Sequence, residues 1–183
     1  MIGETHHINH STSSSPVLEE ERKIWAILEE VPDPEVPVIS VVDLGIVRAV
    51  EVQFASIISD EILVIVSITP TYSGCPAMDM IAMNIRIALL QHGYKKVEIK
   101  SILSPAWTTD WMSERGKQKL KAFGIAPPVG KSLDAASLKE VVVECPLCHS
   151  ANTNMISHFG STSCKALYQC DDCKEPFDYF KCH

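Results

Sequence analysis

The chain reads as an α+β fold: a small α-β-β-α-β domain with a three-stranded sheet, followed by a C-terminal β ribbon organised around cysteines. Three observations predict this. Helical apolar periods occupy residues 17–31 and 76–91, and Ile/Val-rich runs at 47–54, 61–69 and 97–103 carry strand composition. Six of the seven cysteines fall in the last 39 residues.

The first helix opens at Pro16, with Glu19, Glu20 and Glu21 at the positive end of its dipole. Ile24, Ile27, Leu28 and Val31 form its apolar face, and Pro32 stops it. Three prolines in Val31-Pro32-Asp33-Pro34-Glu35-Val36-Pro37 predict a stiff, extended loop outside any ladder. The first strand runs to Phe54 and the second covers Glu61 to Thr69. The short loop between them predicts an antiparallel hairpin. Thr69-Pro70-Thr71-Tyr72-Ser73-Gly74-Cys75-Pro76 then marks a strand-to-helix junction. In the helix from about Pro76 to Gln91, Met78, Ile81, Ala82, Ile85 and Leu89 form one apolar stripe. Met80, Met83, Ile87 and Leu90 form another, which predicts burial on most sides. Gly93 ends this helix, the third strand starts near Val97, and Ser113–Phe123 is a short helix capped by Gly124. The divisions expected are a disordered tail over 1–16, a domain over 17–128, a linker over 129–140 and the ribbon over 141–183. The tail's His6, His7 and His10 have no fold around them.

Hydrophobic residues make up 46% and charged residues 21%, a balance that builds a packed core. The apolar stretch from Ile62 to Ile68 falls short of the about 20 residues that a membrane helix needs. With no basic-then-apolar leader in view, a cytoplasmic location is expected and no membrane partner. The net charge is −7, and the ribbon region carries three lysines against four acids. Both argue against a nucleic-acid partner.

Cys145-Pro-Leu-Cys148 and Cys170-Asp-Asp-Cys173 are separated by 21 residues. Two tight turns of this kind aim four thiolates at one ion, which predicts a structural zinc with no open coordination position. A module this small has too little core to fold without such a staple. His149 stands where a glycine often follows the second cysteine; a left-handed backbone is open to it there, and it need not be a ligand. Cys164, Cys182 and His183 are either small buried residues or additional ligands; with six cysteines a cluster of iron and sulfur is a further option.

Cys75 precedes a helix, where the dipole favours a thiolate. It is either a functional thiol or a buried structural one. No general base lies beside it in sequence, so a Cys/His hydrolase is poorly supported. Asp33 and Glu35 flank Pro34 and can line a site, although loop carboxylates are usually solvated. Asp43 precedes Leu44-Gly45 and commonly orders a turn. Trp107 and Trp111 read as partly buried anchors.

Several phrases together resemble the metal–sulfur cluster biosynthesis domain family. They are Val31-Pro32-Asp33-Pro34-Glu35, Val42-Asp43-Leu44-Gly45-Ile46-Val47, Thr69-Pro70 through Gly74-Cys75-Pro76, and Pro105-Ala106-Trp107. The ending, Phe159 to Leu167 and Pro176 to His183, resembles one branch of that family, the D proteins of the phenylacetate-degradation pathway. The resemblance covers residues 17–183 and implies an accessory, non-enzymatic maturation factor for the multicomponent phenylacetyl-CoA epoxidase. Its partners would be the oxygenase or reductase subunits or cluster-assembly proteins, and its cargo a transient iron or iron–sulfur cluster. It also implies functional roles for Cys75, Asp33 and Glu35, with Asp43 nearby. A non-catalytic structural subunit docked on the oxygenase is the alternative, and the sequence leaves a homodimer open.

Overall fold

The computed structural model describes residues 15–56, 59–129 and 142–181. The histidine tail, most of the expected linker, Cys182 and His183 lie outside the described residues. The order is α1 (Pro16–Leu28), β1 (Val47–Ser56), β2 (Ser59–Ile68), α2 (Met78–Gln91), β3 (Lys96–Ser101), a 3-10 turn (Thr109–Trp111), α3 (Glu114–Phe123), β4 (Ile125–Ala126), β5 (Thr153–Ser157), β6 (Lys165–Cys170) and β7 (Pro176–Phe180). It is the α+β fold expected, with its three-stranded sheet and C-terminal ribbon. No helix among the described residues is long and apolar enough to cross a membrane.

α1 is capped by Ser15, whose side chain accepts the Leu18 N–H, and Pro16 fills the first turn where a missing donor costs nothing. The helix ends at Leu28, one turn earlier than its apolar period suggests. Val31 is buried outside the helix, in the turn that follows. The proline loop departs from expectation in a second way. Pro32 and Ser40 form an antiparallel bridge, closed by Asp33 N–H to Ile39 O (2.9 Å) and Val41 N–H to Val31 O (2.9 Å). The groups flanking the proline make both bonds, so its lack of a donor does not exclude it.

The first sheet has the order β1-β2-β3, with β1 and β2 antiparallel and β2 and β3 parallel. α2 is the crossover that the parallel pair requires. β2 is central and buried from Val64 to Ile68, which explains a continuous apolar run rather than an alternating one. Ile24 and Leu28 of α1 and Ile81, Ile85 and Leu89 of α2 belong to its core. The second α2 stripe is not buried: Met80, Met83, Ile87 and Leu90 are all exposed. The helix packs through one face only, although its overall apolarity suggests two.

The second sheet has the order β4-β7-β6-β5. Its outer strand β4 comes from the stretch expected to end the first domain, and it pairs in parallel with β7 (Ile125 with Asp178, Ala126 with Tyr179). Two residues carry too little period to be seen in a sequence. Gly124 turns the chain from α3 into β4 at φ 92°. The ribbon has its own small core of Ala126, Val143, Tyr168, Phe177 and Tyr179. Cys164 and Phe180, also from the ribbon, belong instead to the core of the first sheet. Phe180 meets Trp107 edge-to-face at 6.2 Å, and the Trp107 indole N–H donates to Leu44 O at 3.0 Å. Trp107 is therefore a buried anchor between the two halves. Trp111 is half-buried, with the Arg48 guanidinium 3.5 Å from its ring centroid.

Candidate functional site: a thiol and carboxylate pocket beside a four-sulfur cluster

In the ribbon, Cys145, Cys148, Cys170 and Cys173 place their sulfurs within 4.8 Å of one another. The Cys145–Cys173 and Cys148–Cys170 separations are 3.8 and 3.5 Å. A tetrahedral zinc with Zn–S bonds of about 2.3 Å needs sulfurs about 3.8 Å apart, so the cluster fits the ion. The two turns are built alike. His149 N–H donates to Cys145 O and Lys174 N–H to Cys170 O, both at 3.0 Å. His149 and Lys174 take left-handed φ of 64° and 66°. His149 is thus a turn residue as expected, and its ring lies 2.7 Å from the Glu144 carboxylate. The sulfurs also show the electrostatic need for a cation. The Cys173 N–H helps hold Cys170 down to about 7. Cys148, although its sulfur takes an N–H bond from Ser150, is pushed up to about 12 by the neighbouring sulfurs. Four thiolates cannot share this space without positive charge between them.

Cys164 does not join that cluster. It lines a second site with Cys75, Asp33 and Glu35, closed in by Leu44, Ile46, Thr71, Ala77, Ile81 and Phe180. The four side chains arrive from three segments. Asp33 sits in the proline loop, where its Oδ1 accepts the Glu35 and Val36 N–H groups at 3.0 and 2.8 Å. That turn fixes Glu35 beside it. Cys75 lies just before α2, whose N-cap is Ala77. Gly74 holds φ 82°, and an added Cβ there would meet nothing within 4 Å. The glycine is needed for its backbone conformation, not for a close approach by another group. Cys164 opens the ribbon hairpin that leads into β6, and Lys181 N–H donates to its carbonyl at 3.0 Å.

Besides Phe180, two polar contacts tie the ribbon to this pocket. The Cys164 thiol points to Glu35 Oε2 at 3.7 Å and to the Thr162 hydroxyl at 3.0 Å. The Tyr72 hydroxyl bonds both Ser163 and the Cys75 sulfur. Electrostatics here differ from the sequence expectation. Burial, with the Glu35 and Asp33 charges adding to it, pushes the Cys75 thiol up, and the Ala77 N–H only partly offsets this. The helix start does not make it a standing thiolate, because acids surround it and half of it is buried. Burial also raises Asp33 and drives Cys164 up to about 11. The charge of Lys165 works against both shifts; this lysine is 5% exposed and 3.6 Å from Asp178.

Asp43 is elsewhere. Its fully buried carboxylate accepts bonds from Ser113 Oγ (2.7 Å), Arg115 Nε (2.9 Å) and Lys119 Nζ (2.8 Å), tying the Val42–Gly45 turn to α3. Burial raises its pKa, but the three partners more than offset that and hold it at about 2. It does not line the Cys75 pocket, so its acidity serves packing. Sequence reasoning misses Tyr72 and Lys165. Tyr72 stands within the Thr69–Pro76 phrase and Lys165 follows Cys164, so adjacency is the available signal. A groove of about 370 Å³ adjoins Tyr72, lined by Thr69, Thr71, Leu103 and Trp107 among others. The Thr69 hydroxyl is buried without a hydrogen-bond partner, alone in this among the described residues.

Two family models match separate parts of the chain. Residues 21–101 match the family described as iron-sulfur cluster assembly protein, and residues 130–181 match the PaaD zinc beta ribbon domain. A protein from Escherichia coli, named as the candidate D component of 1,2-phenylacetyl-CoA epoxidase, is 48% identical over 87% of this chain and 92% of its own length. An Fe-S protein maturation auxiliary factor from Porphyromonas gingivalis is 36% identical over 56% of this chain and 92% of its own. Among solved structures, the DUF59 domain of unknown function from Bacillus anthracis aligns with a TM-score of 0.50 at 26% identity. It covers 57% of this chain and 93% of that one.

Proposed function

The chain belongs to the family of the 1,2-phenylacetyl-CoA epoxidase D component, and on that premise we propose that it is a maturation factor that carries iron to a metal centre of that epoxidase. The observation behind this reading is the single pocket that gathers Cys75, Asp33 and Glu35. Soft sulfur and hard oxygen donors together suit a borderline cation such as ferrous iron. The family match and the likeness to maturation factors supply the accessory role.

The chain's own residues do three things in this reading. The Asp33 turn orients Glu35, Tyr72 and the Ala77 N–H hold the Cys75 sulfur, and Leu44, Ile46 and Phe180 limit water. Iron is cargo that enters and leaves. The ribbon cysteines are proposed as the ligands of a resident zinc, which shapes the ribbon and leaves no open position for chemistry.

The test is co-expression of the epoxidase reductase and oxygenase with wild-type or Cys75→Ser protein. The expected result is client protein depleted in iron with the variant. Full iron and cluster content with Cys75→Ser would sink the proposal. A second reading, a structural component docked on the oxygenase, draws on the exposed Met80, Met83, Ile87 and Leu90 stripe. Stoichiometric retention of the chain in purified active epoxidase would favour it.

A further inference from the structure

We infer that the ribbon supplies a second thiolate, from Cys164, to the Cys75 pocket, making a composite site for one ferrous ion that neither half of the molecule contains alone. This rests on the proposal that iron is the cargo, and it deepens that proposal by naming the ligand set.

Four observations carry it. Cys164 is 4% exposed and belongs to the core of the first sheet rather than to the ribbon's own. Its thiol faces Glu35 across the junction between the halves, and Cys75 and Asp33 line the same cavity. The adjacent Ser163 bonds Tyr72, which itself bonds the Cys75 sulfur, so the ribbon loop is keyed to the loop that carries Cys75. The cavity encloses about 10 Å³, the space of one water-sized sphere. That is room for a single ion.

Two thiols with one or two carboxylates form a mixed sulfur and oxygen donor set for a divalent metal of intermediate softness. Binding exchanges protons for metal. Fe²⁺ enters, the Cys75 and Cys164 S–H protons leave to solvent, and the iron stays ferrous. Among the described residues the ribbon tetrad is the one group of three or more such ligands already drawn close enough to hold a metal ion. The composite ligands therefore draw together on binding, which suits an ion that must be released again. It also gives the ribbon a purpose at the site: when it is docked the pocket has two thiols, and when it lifts away only one.

The experiment uses the full chain loaded first with zinc and then titrated anaerobically with Fe²⁺. One iron per chain beyond the zinc is expected. Cys164→Ala and Cys75→Ala are each expected to weaken iron binding by more than the roughly 10–100-fold that loss of an outer-shell partner costs, with zinc content unchanged as the check that the ribbon is intact. Iron-edge X-ray absorption of the wild-type protein reads the same claim without a variant, and two sulfur neighbours are expected. Wild-type iron affinity in Cys164→Ala, a single sulfur neighbour, or no iron beyond the zinc would each overturn the composite site. The first two leave a one-thiol Cys75 carrier standing. Failure of the carrier proposal shows separately, as full client iron content with Cys75→Ser in co-expression.

Discussion

In the ribbon, four sulfurs stand within 4.8 Å of one another, close enough to enclose an ion. In the Cys75 pocket, two thiols and two carboxylates share a cavity without converging. The difference lies in how backbone holds the ligands. Each ribbon pair sits in one tight turn, pinned by N–H bonds and a left-handed residue. The pocket ligands come from three segments, the Asp33 turn, the Gly74–Cys75 bend and the Cys164 hairpin, whose spacing depends on docking. A permanent site is built by local geometry, and an exchangeable one by tertiary placement.

The largest test of this contrast is Cys145→Ser, which opens the closed site. Because metal binding and folding are one free energy in such modules, loss of the site removes on the order of 10 kcal/mol from the ribbon. Zinc content should fall, and amide protection in β5, β6 and β7 should vanish while β1 and β2 keep theirs. Retained ribbon protection in the zinc-free variant would show that the ribbon folds without its metal.

Phe180→Ala attacks docking instead of metal. This side chain is 1% exposed and packs on Trp107, so its loss should cost about 3–5 kcal/mol. Zinc should be retained, while Cys164 becomes reactive to a thiol probe as the ribbon lifts. An unreactive Cys164 would show that the ribbon is held by other contacts.

Acid probes a buried carboxylate that lies outside both sites. Asp43 is held near 2 in the folded chain against an ordinary value of 3.8. Its contribution, roughly 2 kcal/mol, is present above pH 4 and fades as pH falls from about 4 to 2. Asp43→Asn should flatten that part of the stability curve in urea titrations and leave iron binding intact, because the residue does not line the pocket. Lost iron binding at neutral pH would return Asp43 to the site.

The smallest stability effect is expected for Cys75→Ser. Half-buried and outside any helix or strand, the residue should cost under about 1 kcal/mol by thermal melting, although client iron content depends on it. A drop of several kcal/mol would make it a packing residue.

What local pattern controls is legible in the sequence. The Ser113 cap and Gly124 stop of α3, the Ile/Val run of β2 and the paired Cys-x-x-Cys turns are each encoded within a few residues. The departures share a tertiary cause. A helix start alone would activate Cys75, but the acids that oppose this arrive from the proline loop. Cys164 groups with the ribbon cysteines by proximity in the chain, whereas its hairpin turns it away from them. Met83 and Ile87 have the composition of core residues, and only the packing of α2 shows that their face is uncovered.

β7 lies between β4 and β6, yet it follows both in the chain. On the ribosome, β4 emerges early and has no strand to pair with until β7 has been made. Phe180, which ends β7, emerges later still than Cys164. The pocket thus acquires its second thiol late in synthesis, after α1, α2 and the first sheet are available to fold. A nascent chain halted before β7 would display Cys75 without Phe180 beside it.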